Sequence, residues 1–252
     1  MIPKRIIPLL LINNQDLVKT KKFNFYKYVG DPLNAIKIFN EKEVDEIIVI
    51  DIGNNNFSRP DFSFIEKLNN ESFMPFTYGG GIKNISDVDI LLSKGVEKIS
   101  IQAAALKDIK FIEQIANKYG SQSIILSLDY INHESYIELR NYNNKMNYGD
   151  LEDFLKRYIN AGIGELFINN IIKDGMKNSQ DHKFIKTINS FLDIPIISAG
   201  GTSSNNDIID TFNAGANGVA VGSKFIFYGK FDAVLISYPD KAEINKIINY
   251  AN

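Results

Sequence analysis

Two glycine runs mark places where this chain can hold an anion: Thr77-Tyr78-Gly79-Gly80-Gly81 and Ser198-Ala199-Gly200-Gly201-Thr202. Each follows a short apolar run, and Val221-Gly222-Ser223 follows the last such run of the chain. Glycine lets backbone N–H groups come close to a phosphate and adopts conformations closed to other residues. The same residues make tight turns with no ligand involved, and their occurrence as a pair is what favours binding. Asp129 ends Leu126-Ser127-Leu128-Asp129, where a strand-end carboxylate suits an acid or base, or else caps a loop or pairs with a lysine. Asp51 and Asp174 stand in similar places, although Asp174-Gly175 equally spells a turn. His133 and His182 lie in polar segments without the neighbours of a metal site, so they read as surface residues and no metal is expected.

The composition narrows the classes. With 252 residues, 44% of them hydrophobic, the chain can bury a full core, and residues 1–252 read as one domain. Lys and Arg number 28 against 30 Asp and Glu, so neither nucleic acid nor a membrane surface is indicated as a partner, while small anions stay open. The absence of cysteine removes disulfides, thiolate metal sites and a cysteine nucleophile, and cytoplasm is the default compartment. The apolar stretch within Met1 to Ile12 is too short to span a bilayer and reads as a buried strand.

Something must carry these loops to one face. Eight short apolar runs recur: Arg5 to Ile12, Glu46 to Ile52, Met74 to Tyr78, Lys98 to Ile101, Ser123 to Asp129, Glu165 to Asn169, Ile194 to Ala199 and Gly218 to Val221. Helix-period segments lie between them, such as Pro32 to Glu43 and Asp87 to Lys94, the latter stopped by Gly95. Eight alternations predict a closed parallel (β/α)8 barrel, with a doubly wound sheet as the rival. Asp87 to Ala105 and Asp207 to Phe225 share a pattern at an offset of 207 − 87 = 120, so the barrel is built from two duplicated halves. Gly80, Gly81 and Gly95 then match Gly200, Gly201 and Gly215. Tyr136 to Arg140 alternates as a strand, and Asn143-Asn144 can turn it back, giving a hairpin over the face just after Asp129.

Lys4-Arg5-Ile6-Ile7, Gly30-Asp31-Pro32, Gly79-Gly80-Gly81-Ile82, Tyr119-Gly120-Ser121-Gln122 and Ser198-Ala199-Gly200-Gly201 together resemble the cyclase subunit of imidazole glycerol phosphate synthase, nearly end to end. The resemblance implies a glutaminase partner that releases ammonia into the barrel, and the missing cysteine puts that glutaminase on a separate chain. It implies a ring of charges at the barrel floor on Arg5, Glu46, Lys98 and Glu165, as ammonia gate and partner interface; a stabilising ion-pair network is the alternative. It implies phosphate contacts at Gly80 and Gly81 on one side, and at Asp174, Gly175, Gly200, Gly201, Gly222 and Ser223 on the other. Lys19, in the loop after the first strand, matches the lysine that reaches over the substrate, against the alternative of a solvated side chain.

Two departures matter. Gln102-Ala103 stands where the family shows Asn-Thr, and Leu11 stands where it has one of two catalytic aspartates, Asp129 matching the other. The resemblance therefore points to a paralogue that serves another ammonia acceptor, of the kind associated with amidation of N-acetyl sugars in surface polysaccharide pathways. The alternatives are the ordinary cyclase and lyase of histidine biosynthesis, and a non-catalytic barrel that activates a glutaminase. A phosphosugar isomerase barrel shares the two phosphate sites, but the floor ring speaks against it. The resemblance implies a phosphorylated or nucleotide-linked small-molecule substrate, and no cofactor is expected.

Overall fold

The structure is a computed structural model and describes residues 3–53, 59–133, 135–142 and 145–251. Its eight main strands are β1 (Arg5–Asn13), β2 (Ile47–Asp51), β3 (Phe76–Gly79), β4 (Lys98–Ile101), β5 (Ile124–Asn132), β6 (Glu165–Asn170), β7 (Ile196–Ala199) and β8 (Gly218–Val221). Each pairs in parallel with the next. The circle closes where β8 pairs with β1, from Arg5↔Gly218 to Pro8↔Val221. A helix follows every strand, among them Pro32–Glu41, Ile85–Ser93 and Asn205–Asn213. This is the (β/α)8 barrel, and the closing pair excludes the open sheet. No helix among the described residues is long and apolar enough to cross a membrane.

The elements end where local chemistry ends them. Asp31 caps Pro32–Glu41 by accepting from Leu33 N–H (2.8 Å), with proline at a first-turn position where no N–H is needed. Asn84 caps Ile85–Ser93 through the N–H of Asp87 (3.0 Å), two residues before the start expected from the apolar pattern, and Gly95 follows its end at φ +89°. β3 begins at Phe76 rather than Met74, just after Pro75, which has no N–H to give a ladder.

Among the described residues, three hairpins decorate the C-terminal face, the smallest being Phe227–Tyr228 with Ala233–Val234 after β8. The segment after β1, expected as a loop, is a hairpin of Asp16–Lys21 and Asn24–Gly30 that pairs antiparallel with β1 at Leu11↔Val18. Beyond Asp129 the chain continues in β5 and folds back through Ile137–Leu139, which pairs with Lys145–Met146. The expected turn at Asn143-Asn144 lies outside the described residues.

The halves repeat down to single hydrogen bonds. Asp87 accepts from the N–H of Lys83 (2.9 Å) and from Arg59 Nε (2.8 Å). Asp207 accepts from the N–H of Ser203 (2.8 Å) and from Ser179 Oγ (2.5 Å). The offsets 207 − 87, 203 − 83 and 179 − 59 are all 120. Each aspartate is buried and clamps the loop that carries its half's glycine pair. Asp207→Ala leaves those donors without a charged acceptor and is expected to cost about 2–4 kcal/mol in urea unfolding. A loss below about 1 kcal/mol would mean the loop does not depend on the clamp.

Candidate functional site

Strand alternation decides what faces the barrel axis. Ile7, Leu9, Ile48, Ile125, Phe167, Ile197 and Ala220 form an inner cluster, separate from the larger core between strands and helices. Followed toward the C-terminal ends, the same faces reach Leu11, Asp129 and Asn169 at the mouth. Followed the other way, they reach Arg5, Glu46, Lys98 and Glu165 at the floor.

At the floor the four charges form a closed cycle. Arg5 Nη1 donates to Glu46 Oε2 (2.5 Å) and Arg5 Nη2 to Glu165 Oε2 (2.9 Å). Lys98 Nζ donates to Glu165 Oε1 (2.7 Å) and lies 3.6 Å from Glu46 Oε1, which also accepts from Thr77 Oγ1 (3.2 Å). Burial alone would lower the pKa of Arg5 and raise that of Glu165. The hydrogen bonds and charges between them reverse both, so Arg5 lies above its ordinary value and Glu165 below.

At the mouth, a cavity in the second half is lined by Gly175, Gly200, Gly201, Gly222 and Ser223, together with Leu11 and Lys19. Lys19 is 4% exposed and donates Nζ to Leu9 O, so it is not a solvated lysine. Burial lowers its pKa to about 8, with the charge of Asp174 opposing. A Cβ on Gly222 would stand 3.0 Å from Lys19 Nζ, so a bare glycine is what lets the amine lie in the cavity. Asp174 accepts from Thr20 Oγ1 (2.6 Å) and Phe23 N–H (3.3 Å), while its carbonyl accepts from Lys22 N–H (2.9 Å). It thus anchors the hairpin that bears Lys19, and burial raises its carboxyl. Asn169 Oδ1 is buried on the cavity wall without a protein hydrogen-bond partner.

The first half is built differently. Gly80, at φ +117°, lets its loop pass over Asp51, whose carbonyl oxygen would lie 2.3 Å from an added Cβ. Gly200, at φ +94°, crosses Asn170 O likewise (2.8 Å), so both glycines have a steric reason that needs no ligand. Gly81 also has a positive φ, +69°. Asp51 is out of phase with Ile48 and Ile50; its carboxylate accepts from Gly53 N–H (2.9 Å) and Tyr78 OH (3.4 Å), the latter a residue of the outer core. Gln102 precedes the short helix Ala103–Lys107 and turns Nε2 to Arg140 O (3.1 Å).

Asp129 sits at the mouth opposite no second carboxylate of β1. Burial pushes its pKa up from 3.8 to about 7; the charge of Asp174 adds to the rise, while that of Arg140 and a hydrogen bond with Gln102 oppose it. A carboxyl near neutrality can both give and take a proton at working pH. Sequence reasoning passed over Arg140, whose guanidinium lies over the Phe23 ring (5.1 Å to the centroid), joining the two hairpins beside Asp129. Its place in the alternating run Tyr136 to Arg140 was the available signal. His182 is not a free surface residue: Nε2 lies 3.1 Å from both Thr211 Oγ1 and Asp207 Oδ1, whereas His133 stacks on Tyr136.

Residues 5–232 match the family model described as histidine biosynthesis protein. The chain is 44% identical, over 98% of its length and 99% of the relative's, to a Pseudomonas aeruginosa protein named "Putative imidazole glycerol phosphate synthase subunit hisF2". It is 39% identical, over 96% of its length and 98% of the relative's, to a Leptospira interrogans protein of the same name ending in HisF. Against the "Imidazole glycerol phosphate synthase subunit HisF" of Lactococcus lactis subsp. cremoris it is 35% identical over 91% of its length and 90% of that protein's.

Because Asp129 binds its proton more tightly when folded, its contribution to stability is complete below about pH 4 and is lost as pH rises through about 7. Asp129→Asn keeps the shape without the charge. In urea unfolding, variant and parent are expected to match near pH 4, and the variant to be more stable by about 2–4 kcal/mol near pH 8. A difference that does not change with pH would mean an ordinary carboxyl.

Proposed function

The chain belongs to the histidine biosynthesis protein family, among its HisF-like cyclase members, and from that premise we propose that it is the ammonia-using synthase subunit of a glutamine amidotransferase complex whose acceptor is not the usual one. In this reading it is a paralogue that supports amidation of an N-acetyl sugar for a surface polysaccharide, works in the cytoplasm, and takes ammonia from a separate glutaminase chain. The observation that carries it is Leu11, an apolar side chain on the cavity wall at the end of β1, where the family resemblance calls for an aspartate.

The roles follow from position. The floor cycle of Arg5, Glu46, Lys98 and Glu165 is the gate and the docking face for the glutaminase. Its opening admits ammonia into the apolar interior around Ile7, Ile48 and Phe167. The backbone N–H groups around Gly201, Gly222 and Ser223 hold a phosphate, with Lys19 beside them. Asp129, its pKa raised to about 7, takes a proton from ammonia as the new C–N bond forms at the N-acetyl carbon and returns it to the oxygen, which leaves as water. Gln102, Gly80 and Gly81 border the other end of the substrate. Asp174 and Gly175 act mainly by holding the Lys19 hairpin in place.

The second reading, the histidine-pathway cyclase itself, is favoured by Asp129 and by the complete second-half cavity. The two readings part on one assay: the phosphorylated nucleotide intermediate of histidine synthesis with a saturating ammonium salt, which needs no partner. Loss of one acid or base costs about 10²- to 10⁴-fold, so the chain is expected to show no measurable turnover and Leu11→Asp to regain part of it. Turnover by the unaltered chain at a rate that Leu11→Asp does not improve would establish the second reading.

A further inference from the structure

A cluster at the edge of the second-half cavity has no part in the roles above. Lys177, three residues past Asp174, lines that cavity beside Gly175 and Gly201, on a backbone held at φ +50°. Its Nζ lies 2.6 Å from Asp232 Oδ1. Asp232, also at φ +50°, sits in the turn of the small hairpin Phe227–Tyr228 and Ala233–Val234. Lys27 Nζ donates to Asp232 O (3.1 Å), and Lys21 Nζ stands 3.8 Å from Asp232 Oδ2. Lys27 and Lys177 flank the Phe227 ring at 4.9 and 5.4 Å from its centroid. Three lysines thus gather at one aspartate, Lys177 and Lys21 at its carboxylate and Lys27 at its carbonyl, a local balance of 3 − 1 = +2.

Of the three, Lys177 is the one that lines the cavity, so the excess positive charge can be shared with an anion bound there. The other cation there, Lys19, is already committed to Leu9 O, and its burial disfavours the charged form. A phosphate monoester is a dianion at neutral pH, and neutral N–H groups alone leave it short of countercharge. Lys177 is the cation within reach. Its bond to Asp232 joins two side chains each about a third exposed (29% and 32%), and such pairs hold their partners by no more than roughly fivefold in equilibrium. Exchange of that carboxylate for a phosphate oxygen is therefore easy.

We propose that Lys177 is a further ligand for the phosphate of the substrate, and that Asp232 is an internal anion that holds Lys177 until the phosphate arrives. The proposal rests on the reading of Gly201, Gly222 and Ser223 as a phosphate site. It makes Asp232 a competitor of the substrate, which sets it apart from a clasp that merely fastens the hairpins. Competition and fastening give opposite signs for the same substitution: loss of a competitor tightens phosphate binding, whereas loss of a fastener loosens it.

The test titrates inorganic phosphate into the full chain at fixed ionic strength and follows the Gly201 and Gly222 amide signals by NMR, so that binding in the first half is told apart. Lys177→Gln is expected to weaken binding about tenfold and Asp232→Asn to tighten it about threefold or more. An unchanged Kd in Lys177→Gln, or weakening in Asp232→Asn, overturns the proposal and leaves the phosphate site standing. No response of either amide in the unaltered chain overturns the phosphate site itself and the proposal with it.

Discussion

The two-residue period of strands closed into a barrel is the constraint on which both ends of this molecule depend. In β1 a single alternation sends Arg5, Ile7, Leu9 and Leu11 to the axis in turn, so floor charge, lining and mouth are successive rungs of one strand. β6 repeats this with Glu165, Phe167 and Asn169. A slip of one residue in either strand would exchange its axial set for the set packed against helices, removing a floor charge and a mouth residue together. The floor charges tolerate their burial only because they arrive in register: each cation meets both carboxylates, and a missing member would leave the others desolvated without compensation.

Much of this was legible in the sequence because the barrel strands are short, apolar and bounded by turns. All eight runs are strands in the structure, and Lys98 to Ile101 and Gly218 to Val221 keep their ends unchanged. The hairpin carrying Lys19 was not legible, and its turn explains why. Lys22 and Phe23 occupy that turn at φ +52° and +58°, a geometry in which Asn-Gly is the recognisable signal, so a Lys-Phe pair announces nothing. Burial of Lys19 followed from that hairpin and was equally hidden. The alternation that put Asp129 on the axis also puts Asp51 off it, one residue beyond Ile50, and only the strand's phase, not its end, separates the two. Lys177 and Asp232 meet across 55 residues through a turn and a hairpin with no local signature.

The two sides of the barrel mouth are built unequally. In the second half, glycines, Lys19 and a buried free acceptor on Asn169 surround one cavity. In the first half, Gln102 turns its amide to Arg140 O and Asp129, and Ala103 offers no hydroxyl where Ser223 does. Beside Gln102 stands Arg140, from the hairpin after β5, stacked on Phe23 of the hairpin after β1 and close enough to Asp129 to act on its proton. The glycine-lined cavity thus stands on one side of the mouth, while a guanidinium stands beside Asp129 on the other.

The aspartate clamps of the two loops bear on how the two sides can differ. Asp87 takes its partners from Arg59 and Lys83, Asp207 from Ser179 and Ser203, and neither clamp draws on the opposite half. The loops are modular: the shape of each is fixed by its own quarter of the barrel. A change in one clamp leaves the hydrogen bonds of the other intact, while the two halves meet through the Lys19 hairpin on Asp174 and through Arg140 on Phe23. A duplicated fold of this kind carries a spare part for innovation within a single chain.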